Sequence, residues 1–223
     1  MLLKSQKTGN VLKVFLWATV ILTGICTINA AIYTFNYEVY LKIERFDMFT
    51  NLFFVITYFM LVIAYTIWIF KVHRDILLLN PSYEITPWGA IRRIFIPFYS
   101  IYGMWNLYST MYRYFKESQN TYSFGSKLKL YLPFYYFLFF ISNSVNRLVT
   151  DPDYGTTLFN DSYDVALLIS YGLDLVLFIS FLLIAKVVTK ALNTIATEVN
   201  LESVDEGTNE TEEVNDTAQI NGF

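Results

Sequence analysis

Four stretches of the chain run uncharged, or nearly so, for long enough to cross a membrane: Val14 to Tyr33, Leu52 to Phe70, Leu130 to Asn146 and Val165 to Ala185. At 1.5 Å per helical residue, roughly 17 to 25 residues cover the ~30 Å hydrocarbon layer. Only the last stretch contains a charge, Asp174. The first follows Lys4, Lys7 and Lys13 as a secretory leader would. It is long for a leader, however, and no small-x-small site follows it, so a retained anchor is expected.

A fifth uncharged run, Ile94 to Tyr112, has a different pattern. Ile91, Ile94, Phe98, Ile101, Trp105, Tyr108 and Tyr112 recur at alternating three- and four-residue steps and share one stripe of a helix. Arg92, Gly103, Asn106, Thr110, Arg113 and Glu117 fall opposite. A stripe of this kind predicts an amphipathic helix over about 87–117 lying in the headgroup plane, since hydrocarbon on all sides would strand its polar face. Thr86-Pro87 supplies an N-cap and a first-turn proline. Asn80-Pro81 reads as the end of the preceding helix, and Pro97 should kink or divide the in-plane one.

Charge places these elements relative to the bilayer. With four spans and the N-terminus inside, 13 Lys and Arg residues fall on the inner side and 3 on the outer; if 94–112 crossed as well, the tally would be 8 against 8. Basic residues accumulate on the cytoplasmic side, which favours four spans with both termini cytoplasmic. The same arrangement brings Trp17, Trp68, Trp88 and Trp105 toward the inner interface, where indoles settle. Arg92 and Arg93 then face anionic lipid headgroups. A composition of 55% hydrophobic and 16% charged residues agrees with a membrane protein. The expected fold is therefore all-α and integral to the cytoplasmic membrane: four transmembrane helices with a kinked in-plane helix on the cytoplasmic side, over residues 1–197. Residues 198–223 hold eight acids and no Lys or Arg, and predict a disordered tail. Without it, the chain's net charge of −3 becomes about +5.

The segment ITPWGAIRRIFIPFYSIYGMWNLY, following a second hydrophobic span, resembles the bacterial multi-pass membrane proteins grouped as domain of unknown function 4328. The resemblance rests on Pro87, Trp88, Phe95, Ile96, Pro97 and Phe98, and departs from that pattern at Ser100 and Gly103. It implies a bacterial membrane protein with four helices over roughly residues 10–190 and brings no activity with it.

Few motifs carry chemistry. His73 to Asn80 reads H-R-D-x-x-x-x-N, the spacing of a kinase catalytic loop, but no Gly-rich phosphate loop or D-F-G accompanies it, and it continues straight out of a span. His73 is the only histidine and Cys26 the only cysteine, which excludes a disulfide within the chain and any multi-histidine or multi-cysteine metal centre. Asp151, Asp153, Asp161 and Asp164 lie in a turn-rich segment without EF-hand spacing. No cofactor, metal or nucleic-acid partner is expected.

Asp174 is the sharpest signal. A charge inside a span costs roughly 2.5 to 3.5 kcal/mol on insertion scales, so it should face the bundle interior and have a partner. Antiparallel pairing of the last two spans puts Asn143 and Arg147 near its depth, with Asn29 and Asn51 in the outer parts of the first two. This cluster serves either as an interhelical lock or as a pocket for a polar ligand, cation or proton. Three classes of function follow. A non-enzymatic scaffold or regulator of a membrane-associated partner comes first. A small transporter or channel using the Asp174 cluster, helped by homo-oligomerisation, is the alternative. A lipid-acting membrane enzyme is third, with only Asp75 and Glu84 as acids on the inner side between the second span and the in-plane helix.

Overall fold

A computed structural model describes residues 3–96, 99–150 and 163–220, with side chains left aside at 99–101, 150 and 200–220. Six helices account for nearly all of it: α1 Lys4–Phe35, α2 Tyr37–Leu79, α3 Pro87–Phe95, α4 Tyr99–Glu117, α5 Tyr122–Thr150 and α6 Tyr163–Ile220. No strand occurs among the described residues. Three helices, Lys4–Phe35, Tyr37–Leu79 and the Tyr163–Val199 part of α6, are long and apolar enough to cross a membrane. Helix α5, which contains the expected third span, is not among them. Its 29 residues give ample length, but tyrosines, Ser142, Asn143, Ser144 and Asn146 dilute its apolar character.

Two boundaries differ from the hydrophobic pattern. The expected outer loop between the first two spans is absent, because only Asn36 separates the end of α1 at Phe35 from the start of α2 at Tyr37. Asn36 makes the turn, and its side-chain oxygen accepts the Val39 N–H at 3.2 Å. Residues 37–51 contain no Gly or Pro, and Glu38 precedes Lys42 by four residues, so charge there supports a helix and does not mark a loop. At the other end, α6 carries on as helix to Ile220, through most of the segment whose composition predicts disorder. No proline interrupts residues 163–220.

Helices α1 and α2 pack along their length, α6 packs on both α1 and α5, and α4 lies on α5. Their shared core is built from Leu12, Leu16, Leu61, Trp68, Ile69, Leu107, Met111, Phe115, Leu128, Leu182 and Val188, all buried.

Where one kinked in-plane helix is expected, α3 ends at Phe95, α4 begins at Tyr99 and the two form an antiparallel pair; Pro97 itself lies outside the described residues. Thr86 caps α3 by accepting the Gly89 N–H at 3.1 Å, and Pro87 is its first residue. Helix α3 then retraces α2: Trp88 meets the Phe70 ring at 5.4 Å, while Ile94 and Phe95 line the same cavity as Leu61 and Val62. Helix α4 returns, with Tyr108 bonded to Tyr65 and Tyr114 against Tyr83. The arms touch where Gly103 lies against the Arg93 carbonyl; a side chain at 103 would strike that backbone. Because the break resets the helical phase, the buried face of α4 is Leu107, Tyr108, Met111 and Phe115, and Trp105 is 38% exposed. The stripe drawn across the break therefore joins two helices with separate faces. Trp68 is wholly buried in the core, with its indole nitrogen beside Gly9.

Candidate functional site

Helices α2, α5 and α6 diverge to leave a cavity of about 380 Å³, floored by Ile94 and Phe95 of α3 and Met104 of α4. Phe54, Tyr58 and Tyr65 of α2, Tyr135 and Phe139 of α5, and Phe178 and Phe181 of α6 give it a mainly aromatic wall. Polar groups gather at one end, where Ser142, Asn143 and Asn146 of α5 meet Asp174 of α6. A mostly apolar concavity with a few convergent polar groups is the usual form of a small-molecule site.

The Asp174 carboxylate is held by neutral donors. The Ser142 hydroxyl donates to Oδ1, and Asn146 Nδ2 donates to Oδ1 and Oδ2 at 3.2 and 3.3 Å. Asn146 is oriented in turn by the Ser170 hydroxyl, which donates to its Oδ1. All of these bonds come from neutral groups, and no cationic side chain is among the partners bonded to Asp174. Two residues expected beside Asp174 are placed differently. Asn143 lines the cavity but donates its side chain to the Phe139 carbonyl at 2.7 Å. Arg147 lies exposed one turn beyond Asn143 and is not among the groups bonded to the carboxylate.

Asn29 and Asn51 belong to a second polar cluster, between α1, α2 and α6. Asn29 Nδ2 donates to Asp47 Oδ1 at 2.9 Å, and the Tyr40 hydroxyl donates to Oδ2 at 3.1 Å. Asn51 Oδ1 accepts the Tyr171 hydroxyl at 2.8 Å and the Cys26 thiol at 3.7 Å. A cavity of about 230 Å³ opens beside this cluster, walled by Tyr33, Tyr40, Tyr163, Tyr171, Asp47, Cys26, Ala30 and Leu167. The residues expected as one polar cluster thus fall into two hydrogen-bonded groups, with Asn51 and Tyr171 in the one that holds Asp47. Asp47, Ser142, Asn146 and Ser170 were not singled out in the sequence. Asp47 stood in an apparent loop, and serine or asparagine in a span gives no charge signal.

The remaining named groups lie toward the other end of the bundle. Lys13, Lys186 and Lys190 repel one another there, and the Lys186 Nζ sits 5.1 Å above the Trp17 ring. Trp88 and Arg92 are exposed, while Arg93 runs its side chain back toward Gly89. The H-R-D residues make no catalytic arrangement. Asp75 is buried and accepts the Ser5 N–H at 2.7 Å, capping the start of α1, and both ring nitrogens of buried His73 are without a hydrogen bond. Burial pushes the nearby Tyr83 phenol up from its ordinary value, partly opposed by the Arg93 charge. No group of three or more metal-ligating side chains occurs among the described residues.

Compared with protein-family models, with curated proteins and with solved structures, the chain matches none.

Proposed function

We propose that this is a four-span membrane protein whose lateral cavity binds a small amphiphilic ligand, with the ligand's polar or cationic head at Asp174. The single observation that carries the reading is a carboxylate bonded only by neutral donors among the polar residues that line a mainly aromatic cavity. A helix lock needs the hydrogen bonds but not the 380 Å³ of space in front of them. Binding and passage of such a ligand is the transporter class of function, with α5 as the fourth span between α4 and α6. The family resemblance at residues 87–98 forms part of the same proposal and supplies no activity.

In this reading Lys13, Lys186, Lys190 and Trp17 mark the inner boundary. Phe181, which lines the cavity, lies five residues outward of Lys186, about 7 Å along the helix. Helix α2, with 43 residues and so about 64 Å long, then projects past the inner boundary, and the α3–α4 hairpin stands against that projection. Only its tip, with exposed Phe95 and Ile96, meets the hydrocarbon. Arg92 and Arg93 reach the headgroups, and both termini lie in the cytoplasm. A second reading, a scaffold or regulator of a membrane partner, draws on the exposed edge of the hairpin, where Trp88 is 66% and Tyr102 62% accessible.

Native mass spectrometry of protein released from mild detergent tests the binding reading. The wild type should retain a small bound molecule, and Leu177→Trp, which fills the cavity, should lose it while unfolding at the same temperature. An equal adduct in both proteins, or none in either, would reject the cavity as a site.

A further inference from the structure

The cavity beside Asp47 repeats the chemistry of the deeper one with different residues. Its carboxylate, like that of Asp174, is bonded by neutral donors, here Asn29 and the Tyr40 hydroxyl. Its walls are even richer in phenol rings: Tyr33, Tyr40, Tyr163 and Tyr171 surround about 230 Å³. Tyr33 and Tyr40 meet edge to face, with centroids 4.8 Å apart. Such packing turns the face of one ring toward the edge of the other and stiffens the wall.

We propose that this outer pocket is a second binding site, and that the ligand class shared by both cavities is an organic ammonium ion. Three features select that class. A carboxylate without a cationic partner attracts positive charge. Ring faces add the negative side of their quadrupoles, which favours a diffuse cation with apolar substituents. One carboxylate with phenol oxygens is too sparse a set for a calcium ion, which takes six to eight oxygens. The inference rests on the proposed binding role of the Asp174 cavity and extends it to a path. Tyr171 forms part of the outer wall, and Asp174 lies three residues further along α6, about 4.5 Å by helical rise. Tyr171, whose hydroxyl is bonded to Asn51, is the outer-wall residue that shares this stretch of α6 with Asp174, and in this proposal a cation leaving Asp47 passes it to reach Asp174.

Calorimetric titration of the full chain in a neutral detergent tests this, with choline as the charged probe and its uncharged tert-butyl analogue as the control. Choline should fill two sites. Asp47→Asn should weaken one of them on the order of tenfold, and Asp174→Asn the other, while the uncharged analogue binds far more weakly to both. Leu167→Phe, which fills the outer pocket without touching the carboxylate, should remove the same site as Asp47→Asn and guards against misfolding of that variant. A single choline site, insensitive to Asp47→Asn and Leu167→Phe but lost in Asp174→Asn, would overturn the outer site and leave the deeper one standing. Equal binding of the charged and uncharged probes would overturn the ammonium assignment. Absence of choline binding, with the Leu177-dependent adduct still present, would overturn this inference alone; absence of both would remove the binding reading as well.

Discussion

At the scale of single residues, the most consequential polar contacts join helices far apart in sequence. Asp75 is buried and accepts the N–H of Ser5, 70 positions away, at the positive end of α1. Asp75→Ala should therefore lower stability by about 1–3 kcal/mol, read as a fall in unfolding temperature in detergent, and Asp75→Asn by less because an acceptor remains. The Tyr65 and Tyr108 hydroxyls share a bond of 3.1 Å. Tyr108→Phe should cost about 1–2 kcal/mol by leaving Tyr65 without that partner, and Tyr65→Phe in the same background should add little, which a double-mutant cycle will show. Asp174 was legible in the sequence because a charge stands out in an apolar run. Its true partners were not, because Ser142 and Asn146 resemble ordinary small polar residues until the register of α5 against α6 is known. Arg147 is exposed and is not among the groups bonded to that carboxylate.

At the scale of elements, the pattern located the helices and missed how two of them end. Thr86 and Pro87 announced the start of α3, and the Pro97 segment announced a break, both from local backbone chemistry. The direction taken after the break depends on Gly103 admitting the Arg93 carbonyl, a contact between elements that no single-helix periodicity reveals. Gly103→Ala should force the two arms apart and lower the unfolding temperature, whereas Gly24→Ala in α1, with open space around it, should leave stability unchanged or slightly raised. Opposite effects of the two substitutions, measured in the same detergent, check the close approach. The missing outer loop has a related cause. Residues 37–51 are charged enough to look like loop, yet helical propensity and the packing of α2 on α1 carry them as helix and deliver Asp47 to Asn29.

At the scale of the molecule, the described helices leave two cavities that each hold a carboxylate, and Ile94, Phe95 and Met104 of the α3–α4 hairpin line the one at Asp174. The hydrophobic runs made the membrane character plain, and three helices have the length and apolarity to cross. The cavities were not legible, because a void is a property of how helices diverge and leaves no local mark in composition. Their placement in the bilayer depends on the hairpin returning to the side from which it entered. Ser82 and Asn120 are both exposed, one before the hairpin and one after it. With Cys26 replaced by serine, single cysteines at 36, 82 and 120 can be challenged in intact cells with a thiol reagent that does not cross the membrane. Positions 82 and 120 should stay protected until the cells are permeabilised, while position 36 reacts at once. Reaction of 82 and 120 from opposite sides would mean that the hairpin crosses, and the account would fail.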